Sequence, residues 1–227
     1  MHLVAITGLA VEARIARRAG LGAIVAGGGE TRARMLIEKA IADGAGGLLS
    51  FGICGGLDPA LASGALILPR RVRTGSGKAY PVDASGRDRL AAALAAAGLS
   101  CADGDLLGAA AIADTPERKT TFFRDTGARA IDLESHLVAA AASEAGLPFI
   151  VLRAIADPAG RGLPPAALVG LDADGRTALG PVLRSLMRAP SQLPRLVGLA
   201  FETRRALRSL ARAARAWPPE VATARRS

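Results

Sequence analysis

Two kinds of run alternate along the 227-residue chain. Short apolar runs occupy His2–Thr7, Ala23–Ala26, Gly47–Ile53, Gly64–Val72, Leu106–Ile112, Ala128–Leu133 and Phe149–Ile155. Their length and their bounding turn residues predict strands. Between them lie longer stretches rich in Ala, Leu and charged residues, namely Ala10–Arg18, Glu30–Ala42, Ser85–Ala97, Pro116–Asp125 and Glu134–Gly146. These predict helices. The fourth has sound start chemistry, with Asp114 or Thr115 as N-cap and Pro116 at the first helical position. Gly27-Gly28-Gly29 feeds the second helix, and Cys54-Gly55-Gly56 followed by Asp58-Pro59 breaks the third strand. Strands alternating with helices imply an α/β fold.

The pattern changes near the end. Residues 157–180 turn Pro- and Gly-rich (DPAGRGLPPAA) and read as a loop of the kind that borders binding sites. Residues 1–183 form the expected main domain and 184–227 a basic appendage. At 100° per residue, Leu196, Leu199, Ala200, Leu207, Leu210, Ala214 and Trp217 share one helical face, and Arg204, Arg205, Arg208, Arg212 and Arg215 the other. That pattern fits a helix packed on the core and equally a helix lying on an anionic membrane through residues 196–217.

Charge sharpens this division. The net charge is +9, yet Arg184 to Ser227 holds ten Arg and two Glu, leaving 19 basic and 18 acidic residues in the main body. With aromatics at only 3%, nucleic acid is not an expected partner. Cys54 and Cys101 offer neither metal-ligand spacing nor a disulfide framework, so no metal site is expected. The start MHLVAITG lacks a basic, apolar leader pattern and no apolar run reaches membrane-spanning length, which places the expected protein in the cytoplasm.

In open α/β sheets ligands bind beside the carboxyl ends of strands, so acids placed there draw the eye. Asp157 ends the run FIVLRAIAD, Glu134 follows ARAIDL and opens a helix, and Glu12 lies just after the first strand in TGLAVEA. Taken singly, the two glutamates fit a helix's first turn equally well, where a carboxylate complements the dipole. Neither glycine cluster matches a dinucleotide or P-loop pattern.

Taken together and in order, TGLAVEA, the GGG turn, SFGICGGLDPAL and AIDLESHLVAAAASEAGLPFIVLRAIAD resemble the purine nucleoside phosphorylase and nucleosidase superfamily over about residues 3–157. Within it the chain looks most like adenine-releasing nucleosidases and hopanoid-associated phosphorylase-like proteins. The resemblance implies a single domain with a central mixed sheet flanked by helices, cleavage of the N-glycosidic bond of an adenine nucleoside, and a homo-oligomer. No cofactor is implied beyond inorganic phosphate as co-substrate if the bond is phosphorolysed. By the same resemblance Asp157 matches the aspartate that protonates the purine N7, and Glu134 the glutamate that binds the ribose hydroxyls. Arg153 matches an arginine near the nucleophile, and Gly55 and Gly56 lie along the ribose pocket. Glu12 stands where hydrolytic relatives activate water and phosphorylases place an arginine, and Ser50 stands where phosphate users carry another arginine. Hydrolysis is therefore expected. Ile53 and Leu133 depart from the serine or threonine and the methionine common in relatives. The specific expectation is release of adenine from adenosylhopane, a lipid-linked nucleoside, at the membrane's inner face. Phosphorolysis, a soluble methylthioadenosine or adenosylhomocysteine nucleosidase, and a non-catalytic nucleoside-binding protein stay open.

Overall fold

The computed structural model describes residues 2–27, 29–168, 184–185 and 187–217. Four strands form its centre: Leu3–Thr7 (β1), Gly22–Val25 (β2), Gly47–Gly56 (β3) and Phe149–Asp157 (β10). They run parallel in the order β2-β1-β3-β10. Short strands Leu66–Ile67 (β4), Arg71–Thr74 (β5), Ala79–Pro81 (β6), Cys101–Ala102 (β7), Asp105–Gly108 (β8) and Ala130–Asp132 (β9) extend the sheet. Because β4 is antiparallel to β10, β9 to β3 and β6 to β5, the sheet is mixed. The helices are Ala10–Arg18 (α1), Glu30–Ala42 (α2), Ala84–Ala96 (α3), Pro116–Thr126 (α4), Ser135–Glu144 (α5), the short Pro165–Leu168 (α6) and Leu193–Arg215 (α7).

Strand periodicity decides which residues face which layer. Val4, Ile6, Leu48, Val151 and Ile155 point toward α2 and α5, where Ile37, Ala40, Leu137, Val138 and Ala142 cover them. Leu3, Ala5, Leu49, Ile150 and Leu152 point the other way, toward Ala16 of α1, Leu90 and Leu94 of α3, and Ala206, Leu210 and Trp217 at the C-terminal end. All nine residues of β10 are buried, as a strand covered on both faces requires.

The strand expected over Gly64–Val72 is split into β4 and β5 around Pro69, and the one expected over Leu106–Ile112 stops at Gly108, leaving Ala109–Ile112 as loop. β6 and β7, with three and two residues, carry too few positions for a periodic signal. Of the proposed loop 157–180, residues 169–180 lie outside the described residues, as do 218–227 of the basic segment.

The C-terminal helix forms, but its apolar face is largely not a surface. Leu210, Ala214 and Trp217 are packed in the core beneath β1, β3 and β10, and burying a leucine or tryptophan of this kind is worth about 1.5–3 kcal/mol each. The large apolar side chains of α7 exposed to solvent are different ones: Leu193, Val197 and Phe201, at 53%, 47% and 68%.

Candidate active site

The carboxyl ends of β1, β3 and β10 point the same way, and most of the polar groups buried among the described residues gather there. After β1 the chain turns through Gly8 and Leu9 into α1, which puts Glu12 on the helix's first turn. An acid at that position complements the helix N-terminus. Here the side chain also folds back, and Oε2 accepts from the amides of Gly8 (3.0 Å) and Leu9 (2.9 Å). Oε1 accepts from the Ile53 amide of β3 at 2.7 Å. Burial pushes the Glu12 carboxyl above its ordinary range, opposed by the Arg153 guanidinium and the three amides.

Arg153 is 1% exposed at the middle of β10. A buried guanidinium is costly unless its donors and charge are answered. Nη2 lies 2.6 Å from Asp132 Oδ2 and 3.5 Å from Glu134 Oε2, and donates to Ser50 Oγ at 2.7 Å and Ser135 Oγ at 3.3 Å. Nη1 donates to the Ile53 carbonyl at 3.3 Å. Asp132 is fixed in turn by Ser135, whose amide donates to Oδ1 at 3.0 Å and whose hydroxyl donates to Oδ2 at 2.5 Å. Gly52, the residue opposite Arg153 across the ladder, is required by this crowding, since a Cβ there would stand 2.6 Å from both Glu12 Oε1 and Arg153 Nη1.

Glu134 stands at the N-cap position of α5, and its side chain reaches toward β1, close enough that a Cβ on Gly8 would stand 2.7 Å from its Oε1. Burial raises its carboxyl pKa to about 7, with Arg153 opposing and Asp132 and Glu12 reinforcing the rise. On β10 one extra residue between Ile155 and Asp157 breaks the register against β3, a device that re-aims strand ends beside functional sites. Asp157 closes the strand at 9% exposure and accepts a 2.6 Å bond from Lys119 of α4 on Oδ2. Burial again raises the carboxyl pKa, and Lys119 works against the rise.

These groups border one cavity of about 370 Å³. Glu12, Asp132, Glu134, Arg153 and Asp157 line it together, along with Glu30 from the start of α2. Gly55 lines it too, and a Cβ there would stand 3.2 Å from Asp157 Oδ2. Gly56, expected beside it, instead faces Ile155 and Pro158 and pairs with Ala130. Ser50 is wholly buried under Arg153 and serves that side chain rather than the cavity. Toward solvent the lining is apolar, with Leu9, Ala110, Ala111, Ile112 and Leu133, of which Ile112 and Leu133 are 40% and 37% exposed. Among the described residues no group of three His, Cys, Asp or Glu side chains is placed to hold a metal ion.

Asp132, Ser135 and Lys119 escaped the sequence reading. Asp132 and Ser135 sit in the same DLES stretch as Glu134, so a strand-end acid followed three residues on by a serine was the available signal. Lys119 gave none, because its partners are 38 to 42 residues away.

Comparison with known proteins agrees with this architecture. Residues 18–178 match the family model of the phosphorylase superfamily. No curated protein matches the chain in sequence. Among solved structures the chain is similar to the 5′-methylthioadenosine/S-adenosylhomocysteine nucleosidase of Helicobacter pylori bound to butyl-thio-DADMe-Immucillin-A, at TM-score 0.66 and 15% identity, covering 92% of this chain and 96% of that one. Futalosine hydrolase of H. pylori gives TM-score 0.62 at 15% identity over 68% of this chain and 87% of its own. A putative nucleosidase of the first kind from Francisella philomiragia gives 0.64 at 18% identity over 88% and 99%. At such identities the structural likeness speaks for the fold, while the family match spans well over half of the sequence, and the chain belongs to the phosphorylase superfamily.

Proposed function

We propose that this enzyme hydrolyses the N-glycosidic bond of an adenine nucleoside. The observation that carries the reading is the make-up of the cavity wall: among the described residues Glu12, Glu30, Asp132 and Glu134 line it with one guanidinium, Arg153, beside Asp157 as the proton donor. Cleavage of the C1′–N9 bond builds positive charge on the ribose, and a wall of this make-up stabilises it. A phosphate dianion would meet the opposite field, and Arg153 is already engaged by Asp132, Glu134, Ser50 and Ser135. Water is therefore the nucleophile that the site accommodates.

The roles follow from position. Asp157, its pKa raised by burial, gives its proton to purine N7 as the C1′–N9 bond breaks and the pair of electrons moves onto the base. Water attacks C1′ and loses a proton to Glu12, whose Oε1 accepts the Ile53 amide and has a second lone pair for the proton. Glu134 binds the ribose hydroxyls, with Arg153 fixing its carboxylate, and Gly55 leaves room for the sugar against Asp157. Support for an adenine nucleoside comes from the H. pylori nucleosidase, an Asp-to-Asn variant of which was solved with 5′-methylthioadenosine in its active site.

The finer reading concerns the 5′ substituent. Ile112, Leu133 and Leu9 make an apolar rim, which suits a hydrophobic group and, at its largest, the hopane of adenosylhopane. A lipid-held substrate calls for a membrane contact, and the solvent-facing side of α7 supplies one: Leu193, Val197 and Phe201 are exposed, and Arg204, Arg205 and Arg208 continue that side toward the C-terminus. No helix among the described residues is long and apolar enough to cross a membrane. The test is turnover of adenosylhopane in anionic vesicles beside 5′-methylthioadenosine in solution. Preference for the vesicle substrate supports the lipid reading, and exclusive cleavage of the soluble one rejects it.

A further inference from the structure

Lys119 is 0% exposed, and its place in the fold is built from three elements. Thr115 caps α4 by accepting from the Arg118 amide, Pro116 opens the helix, and Lys119 projects inward from the first turn. Its Nζ faces Asp157 Oδ2 at 2.6 Å and the carbonyls of Asp157 (3.1 Å), Pro158 (3.0 Å) and Arg161 (2.9 Å). The last carbonyl is itself held, because the Arg161 guanidinium forms three bonds of 2.6–3.1 Å with Glu202 of α7. Four acceptors around one ammonium answer the cost of burying it. The carboxyl group that Lys119 engages borders the cavity and is the one read above as the proton donor.

We propose that Lys119 is a positioning residue for the general acid: it locks the Asp157 carboxyl in one orientation and stabilises the negative charge that grows there as the proton leaves for the purine. This rests on the reading of Asp157 as proton donor. The bond that breaks is the Asp157 O–H, the bond that forms is N7–H, and Lys119 keeps its own protons throughout. A fixed ammonium beside a developing carboxylate needs no reorganisation during the reaction, which is the condition under which electrostatic stabilisation is most effective.

Other charged or titratable groups around Asp157 do not supply this cation. Cys54 of β3 is neutral, its thiol pushed well up by burial. Glu202 of α7 raises the Asp157 carboxyl, and Arg161 is bound to Glu202. Lys119 is the main influence opposing burial.

In a pH profile of adenine release, activity falls as Asp157 loses its proton. Lys119→Met is expected to move that alkaline limb up by about 1–3 units, the usual effect of a nearby opposite charge. It should also lower kcat about 10- to 100-fold, as loss of a charge-assisted bond does, with little change in KM. Lys119→Arg keeps the charge and should keep the limb near its original pH. A purely structural lysine would cost activity or stability without moving the limb, and an unmoved limb in a folded Lys119→Met protein overturns the proposal. The unaltered protein offers a second measurement, because it has only three lysines, Lys39, Lys78 and Lys119, and the first two are exposed. With 15Nζ-lysine labelling, Lys119 should give a slowly exchanging ammonium resonance that shifts at the pH of the alkaline limb and does not shift in Asp157→Asn. A neutral amine at the pH of activity, or no step, contradicts the pairing even if Lys119→Met fails to fold. Failure to release adenine from any nucleoside would count against the functional reading instead, while the resonance would still report on the pair.

Discussion

Gly52 shows how tightly the site is drawn at the scale of single residues. Its missing side chain is the space in which Glu12 and Arg153 approach each other, and both are pinned by other bonds. Gly52→Ala should therefore cut adenine release by about 10-fold or more through displaced catalytic groups, a misplacement of the size that costs enzymes heavily. A folded Gly52→Ala protein with unchanged kcat/KM would show that the two groups need not be close. Asp157→Asn should lose about 100-fold or more in kcat, the range for a general acid, with its circular dichroism preserved. Glu134 makes a pH prediction. Its folded pKa of about 7 lies above the reference of 4.5. The carboxylate that binds ribose is thus lost as pH falls through about 7, and KM for the nucleoside should rise there and stay flat in Glu134→Gln. For stability the sign is opposite to that of an ordinary ion-paired acid. A raised carboxyl pKa favours the folded state while the group is protonated, and that benefit is lost as pH rises from 4.5 toward 7. Glu134→Gln should accordingly gain melting temperature relative to the parent as pH rises over this window.

At the scale of elements, α7 is both a core helix and a surface. Leu210→Ala should destabilise by about 2–5 kcal/mol, as removal of a buried leucine does. Deleting residues 196–227 should abolish cooperative unfolding, since Ala206, Leu210, Ala213 and Trp217 cover one face of the sheet and Glu202 anchors Arg161. Phe201→Ser, 68% exposed in the parent, should leave soluble turnover unchanged and weaken sedimentation with anionic liposomes, more so at high salt. Equal liposome binding by the variant would remove Phe201 from any membrane contact. Much of this architecture was legible in the chain. The long central strands announce themselves because burial on both faces demands unbroken apolar runs, and α4 because its cap and proline are local. The helical wheel of the tail grouped Leu210, Ala214 and Trp217 correctly. Whether water, lipid or sheet covered that face depends on tertiary contacts that periodicity does not encode. Lys119 was hidden for a related reason: a lysine on an amphipathic helix reads as solvated unless its distant carboxylate partner is known. Gly56 was grouped with Gly55 by the family resemblance, yet successive strand residues point to opposite faces.

For the whole molecule, the separation of charge matters more than its total. A main body close to neutral encloses a cavity walled by acids, while most of the excess arginines sit on the C-terminal segment. The acidic wall suits a substrate that becomes cationic as it reacts, and it works against phosphate as a reactant. The central claim is thus hydrolysis rather than phosphorolysis, and the isotopic fate of water tests it most directly. The purified protein should release adenine from 5′-methylthioadenosine in phosphate-free buffer made with 18O-water, and the sugar product should carry 18O at C1′, with no rate increase on adding phosphate. Adenine release that requires phosphate and yields a sugar 1-phosphate free of 18O would contradict it.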